Sequence, residues 1–201
     1  MAIFVARHGE TELNAARVIQ LPTTPLSVRG QRQAEQLAER LAALGVTSIL
    51  TSDLTRAIET ASAIARRTGA PIAIDPVLRE RDFGDIRGMP YDALGLDPFG
   101  LDYQPPNGES WMVFHARVAD SWRLVTRAAA DTAGHLAVVT HGLVCRALVD
   151  QHLALRVGET APGLWRNTAL TEIEPAPPWT VRLLACTAHL AGDDAPPVAA
   201  A

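Results

Sequence analysis

The chain has 201 residues, of which 48% are hydrophobic and 20% charged, enough for one α/β domain with a proper core and unlike a disordered or fibrous chain. Its net charge of -4 and pI near 5.8 exclude a general pull toward nucleic acid or anionic membrane, so an anionic ligand must be caught by a local cluster of positive charge. All 18 basic residues are arginines, so any essential cation here is planar, permanently charged and bidentate.

Ile3-Phe4-Val5-Ala6 reads as a short buried strand that stops at Arg7-His8-Gly9-Glu10-Thr11. In an open α/β sheet, ligands bind just outside the carboxyl ends of the strands. Arg7 and His8 are therefore expected in a cleft, beside a glycine that lets backbone approach a ligand. Residues 11–25 follow as a loop, on which Asn14, Arg17 and Gln20 could line that cleft. Ser27 is a natural N-cap for a helix whose apolar face carries Ala34, Leu37, Ala38, Leu41 and Leu44, and Gly45 ends it.

Residues 46–51 form a second strand, with Ser52 or Asp53 expected to cap the next helix. Leu54, Ala57, Ile58, Ala61, Ile64 and Ala65 make that helix's buried stripe; Arg56 falls off it, and on position alone reads as a solvated side chain. An arginine in a first helical turn can also add a fork to an anion site. Residues 72–74 are a third strand. The stretch 78–88 is dense in charge and broken by glycine, so it reads as a loop. Its pattern does not choose Glu80 over Asp82 or Asp85 as a general acid.

Residues 89–108, rich in Pro, Gly, Asp and aromatics, suggest an irregular cap with at most a short helix near Tyr91. A long helix follows, with Phe114, Val118, Trp122, Val125 and Ala129 as its core stripe; Trp111 and Trp122 read as packing rather than ligand platforms. Residues 136–140 form another buried strand, and it too ends in His-Gly, at His141-Gly142. If the two His-Gly strands are parallel neighbours, two imidazoles and an arginine meet at one sheet edge. Residues 143–155 form an apolar helix, 169–173 and 179–186 two last strands, and the Ala/Pro-rich end from 188 to 201 a tail. His115, His135, His152 and His189 read as structural or surface residues. Cys145 and Cys186 read as reduced thiols. Charge at Arg7 comes before any long apolar region and no stretch approaches transmembrane length, so the expected compartment is the cytoplasm.

The element order predicts an α/β fold: a three-layer α/β/α sandwich with a mostly parallel central sheet. The expected organisation is one domain over 1–187, with about 88–110 as a substrate-cap insertion. Arg7, His8, Arg56 and His141 then converge at strand ends or a first helical turn. That inventory suits phosphoryl transfer, which needs fixed positive donors around three equatorial oxygens. A neutral imidazole is a competent nucleophile toward phosphorus, and nearby arginines disfavour its protonation.

Four motifs in order resemble those of the histidine phosphatase superfamily, also called phosphoglycerate mutase-like. They are Arg7-His8-Gly9-Glu10-Thr11 with Asn14; Thr51-Ser52-Asp53-Leu54-Thr55-Arg56-Ala57 with Thr60-Ala61; Leu78-Arg79-Glu80 with Phe83-Gly84 and Gly88; and Val138-Val139-Thr140-His141-Gly142. The resemblance implies that His8 is the nucleophile and Glu80 the proton donor to the leaving oxygen. It implies that Arg7, Arg56, His141, Asn14 and the backbone N–H of Gly142 hold the phosphoryl group; Gln20 is added as a binding candidate from its place on the cleft loop. It implies no metal and no cofactor, and a small phosphomonoester as partner; a second copy of the chain is the one protein partner left open. Members of this family often carry other residues where this chain has Gln20, Thr24, Glu59 and Arg87, departures expected at the pocket rim. The family's true mutases have a longer insertion between acid and second histidine and use a lysine on the substrate carboxylate. This chain has neither, which favours a phosphatase over a phosphoglycerate mutase. A non-catalytic phosphate-binding protein and a metal hydrolase using both histidines are the remaining alternatives.

Overall fold

A computed structural model describes residues 1–190 of the chain. Its centre is a six-stranded sheet in the order β3-β2-β4-β1-β5-β6, formed by β1 (Ile3–Arg7), β2 (Val46–Thr51), β3 (Ile72–Ile74), β4 (His135–Thr140), β5 (Leu170–Ile173) and β6 (Val181–Cys186). Strands β3, β2, β4 and β1 pair in parallel, whereas β5 runs antiparallel to both β1 and β6. Alternation along β1 sorts the core into two layers. Phe4 and Ala6 face one side, under α2 (Val28–Ala43) and α3 (Thr55–Thr68). Ile3 and Val5 face the other, under α4 (Trp111–Asp131) and α5 (Gly142–His152). This is the three-layer α/β/α sandwich that the element order implies. Among the described residues, no helix is long and apolar enough to cross a membrane.

Several local expectations need correction. The stretch 11–25 is not all loop: Thr11 caps a one-turn helix α1 (Glu12–Ala15), accepting from the Asn14 amide at 3.0 Å. Neither Ser52 nor Asp53 is the N-cap of α3. That position is Leu54, without a side-chain bond, because the Ser52 hydroxyl and the Asp53 carboxylate are engaged elsewhere. The last strand begins at Val181 rather than at residue 179. Residues 188–190, assigned to a tail, include His189, which contacts Arg40 at 3.2 Å and the Thr168 hydroxyl at 3.2 Å. The rest of that stretch, 191–201, lies outside the described residues.

The register of β1 on β4 fixes the site. Arg7 stands opposite Thr140, and the His8 amide donates to the Thr140 carbonyl at 3.0 Å. The two His-Gly turns therefore leave the sheet at the same level. Gly9 is required for a reason other than ligand approach. A Cβ there would sit 2.5 Å from the Gly30 carbonyl oxygen, and one on Gly30 would sit 1.9 Å from that of Glu10. The two glycines let the first turn of α2 press directly on the chain that follows His8.

Candidate active site

His8 leaves the end of β1, His141 the end of β4, and Arg56 the first turn of α3; all three are essentially buried. The imidazole rings of His8 and His141 lie 5.2 Å apart, centroid to centroid. His8 Nδ1 is 2.6 Å from the Gly9 carbonyl oxygen, which only accepts, so Nδ1 carries the proton. Its Nε2 lone pair consequently faces outward, where Arg56 Nε–H donates to it at 3.2 Å. Burial first, then the charges of Arg56 and Arg7, hold His8 well below the usual histidine range. The sequence argument credited the arginines alone; burial outweighs them. His141 is lowered in the same way, by burial and then by Arg56, His8 and Arg7.

Two buried nitrogens in this cluster have no partner within the protein. Arg7 Nη1 donates to the Trp165 carbonyl, but the buried Nε has no partner, and neither has His141 Nδ1. A Cβ on Gly142 would lie 3.6 Å from that Arg7 Nε, so the missing side chain keeps the space before it open. Buried polar atoms without partners are costly, and a bound anion is a partner that the Arg7 guanidinium could take. Arg56 is not solvated, as its helical position suggested: it is 2% exposed and burial pushes its guanidinium down to about 10, still charged at neutral pH.

Glu80 completes the group. Its Oε1 accepts from the Arg81 amide at 3.0 Å and its Oε2 from the Leu143 amide at 3.1 Å. Burial raises its pKa, outweighing those two amides and the charges of Arg56 and Arg7. The three carboxylates of the charged loop differ in their partners: Asp82 pairs with Arg87 and Asp85 accepts from Asn107 Nδ2 at 2.8 Å, while Glu80 feels the charges of Arg56 and Arg7. Arg7, Asn14, Gln20, Arg56, Glu80 and Gly142 all line one cavity of about 720 Å³.

Other residues that sequence reasoning missed hold the site in place. Ser52 Oγ lies 2.9 Å from His141 Nε2, and Thr60 Oγ1 accepts from the Gly9 amide at 3.1 Å. Asn167 Nδ2 bridges the His8 carbonyl (3.1 Å) and Asn14 Oδ1 (3.2 Å). Arg81, 2% exposed, donates to the carbonyls of Glu109, Pro98 and Tyr103 and stacks 4.0 Å over Trp111. Nothing in a run of charges marks one member as buried; Ser52 and Thr60 did lie within a quoted motif. Of the rim departures, Gln20 and Arg87 line the cavity, but Thr24 and Glu59 do not: their oxygens accept from the amides of Leu21 and Leu26. Tyr91 lines it too, and so does His115, read as structural. Trp111, read as packing, is packed beneath Arg81 and also reaches the cavity wall. Burial raises the Cys145 thiol, which excludes it as a ready thiolate.

The sequence matches the family model of the histidine phosphatase superfamily (branch 1) over residues 3–186. The chain belongs to that superfamily. It is 33% identical to the "Probable phosphoglycerate mutase GpmB" of Enterobacter sp. (strain 638), covering 98% of this chain and 96% of that one. Among solved structures, a mycobacterial glucosyl-3-phosphoglycerate phosphatase bound to VO3 superposes with a TM-score of 0.74 at 29% identity, over 86% of this chain and 90% of that one. A phosphoglycerate mutase from Bacillus anthracis str. Sterne superposes with a TM-score of 0.70 at 26% identity, over 86% and 87%. Superfamily relatives of this histidine phosphatase chain thus carry the names of both phosphatases and mutases.

The two depressed histidines make stability depend on pH in a definite direction. In the unfolded chain each imidazole takes up a proton below about pH 6.5, whereas the folded site resists it. The unfolded state then binds more protons, so stability is present above that pH and is lost as pH falls toward the folded values. Each histidine contributes a slope of up to about 1.4 kcal/mol per pH unit. Urea unfolding between pH 7 and 5 is expected to show a shallower fall for His141→Asn than for the unaltered chain. Equal slopes would contradict the buried, neutral pair.

Proposed function

We propose that this chain is a phosphomonoesterase that acts on small phosphorylated metabolites through a phosphohistidine on His8. The observation that carries this reading is the His8 ring itself: Nδ1–H is committed to the Gly9 carbonyl, leaving Nε2 as the neutral, lone-pair nitrogen, which faces the Arg56 guanidinium. Nε2 attacks phosphorus and the ester oxygen departs on the opposite side. Arg7, Arg56 and His141, with Asn14 and the Gly142 amide, hold the three equatorial oxygens. Gln20 stands at the edge of that grip. Protonated Glu80 gives its proton to the leaving oxygen, and the resulting carboxylate takes one from the water that cleaves the N–P bond. The residues about 88–110 serve as the cap over the leaving group, within a single domain spanning 1–187. None of these steps calls on a metal or an organic cofactor.

Phosphoglycerate mutase activity is the second reading, favoured by the names of some relatives. The short segment between Glu80 and His141 and the absence of lysine support hydrolysis instead. Incubation with 3-phosphoglycerate and trace bisphosphoglycerate separates them. Free phosphate is expected; isomerisation to 2-phosphoglycerate without phosphate release would overturn the hydrolase reading. The same assay in EDTA is expected to run undiminished, and loss of activity there would favour a metal hydrolase built on the histidine pair.

A further inference from the structure

The cavity extends well past the phosphoryl grip. At about 720 Å³ it falls in the range, about 300–1,000 Å³, that encloses drug-sized ligands, and it is several times larger than a phosphorylated three-carbon acid requires. The space beyond the grip has two chemical features. The first is an aromatic cluster: Phe99 stands edge-on to Phe83 at 5.7 Å and to Tyr91 at 5.3 Å, and all three line the cavity. Leu101 and Leu164, exposed to 81% and 75%, line it too. Apolar side chains left open around one concavity mark a surface meant to be covered.

The second feature is that the remaining arginines are taken. Arg79 pairs with Asp53, Arg87 with Asp82 and Arg146 with Asp150 at 2.7 Å, while Arg81 is consumed by three backbone carbonyls. Among the described residues, each cavity arginine outside the grip is therefore engaged. Asp82 and Asp150 line the cavity as well. A carboxylate on the substrate that approached Arg87 or Arg146 would sit beside Asp82 or Asp150, and like charges held that close repel.

We propose that the natural leaving group is an uncharged alcohol bearing an aromatic or similarly flat apolar body, seated on the Phe83–Phe99–Tyr91 cluster. This rests on the phosphomonoesterase reading and names its substrate class. Edge-to-face aromatic contacts and buried ring area supply the discrimination, and the paired rim supplies the rejection of organic acids.

The test compares 2-phenylethyl phosphate with 3-phosphoglycerate; both leave as primary alkoxides, so intrinsic reactivity differs little. The expected kcat/KM ratio is on the order of 100 in favour of the phenylethyl ester. Phe99→Ala is expected to raise KM for that ester about tenfold, a several-fold larger rise than for 3-phosphoglycerate. Phosphate released equally from both esters, or faster from phosphoglycerate, overturns the substrate class and leaves the phosphatase reading standing. Phosphate released from neither, nor from p-nitrophenyl phosphate, overturns the phosphatase reading instead. Calorimetric binding of both esters to His8→Ala decides the class in that case too, with Glu80→Gln as the alternative should the first variant fold poorly. Tighter binding of the phenylethyl ester upholds the class, and equal or weaker binding refutes it.

Discussion

Replacing His8 by alanine is expected to lower kcat on every phosphomonoester by on the order of 10⁴-fold or more, to background. The size of the effect follows from geometry. Arg56 has no free lone pair, and His141 leaves a different strand, with its ring centroid 5.2 Å from that of His8, so neither stands where the His8 nitrogen does. Binding should survive, because Arg7, Arg56 and His141 remain, and removing an imidazole beside two guanidinium groups does not weaken their hold on a dianion. Rapid acid quench of the unaltered chain with ³²P-labelled substrate should trap an acid-labile phosphate, and the alanine variant should trap none. Acid-stable label, or label retained in the variant, would exclude His8 as the site of transfer.

Glu80 predicts a different pattern. Glu80→Gln is expected to cost about 10²–10⁴-fold on alkyl phosphates, whose alkoxides need a proton, and far less on p-nitrophenyl phosphate, whose phenolate does not. The pH profile has a sign as well. The proposed mechanism needs His8 neutral and Glu80 protonated. His8 is held well below the usual histidine range, so the acid limb lies at low pH. Glu80 is raised above the usual carboxyl range, so the alkaline limb lies at higher pH than a free carboxyl would give. In Glu80→Gln the alkaline limb should vanish for alkyl esters. Equal losses on good and poor leaving groups would remove Glu80 from the role of acid.

Much of this site was legible in the residues because β-strand ends are simple to read. Two apolar runs, each closed by His-Gly, needed only parallel adjacency to bring the imidazoles together, and β1 and β4 are parallel neighbours. Arg56 was legible only through its motif. Its helix stripe pointed it to solvent, yet the chain from residues 19 to 26 folds over it and Leu21 gives it a carbonyl at 3.1 Å. That cover is a tertiary fact with no periodicity. The same holds for Arg81, whose burial depends on three carbonyls spread between residues 98 and 109. The acid could not be picked from the charged loop because Glu80, Asp82 and Asp85 differ in their partners rather than in their local pattern. The helical turn at Glu12–Ala15 was missed because four residues are too few to show an apolar face.

The paired register of Arg7 with Thr140 has a practical corollary. The distance between the two histidines is set by the spacing of hydrogen-bonded backbones, about 4.8 Å between neighbouring strands, and so does not depend on what is built above them. A different stretch grafted in place of residues 88–110 would keep that spacing, but it would also have to resupply the carbonyls that Pro98, Tyr103 and Glu109 offer to buried Arg81, the neighbour of Glu80.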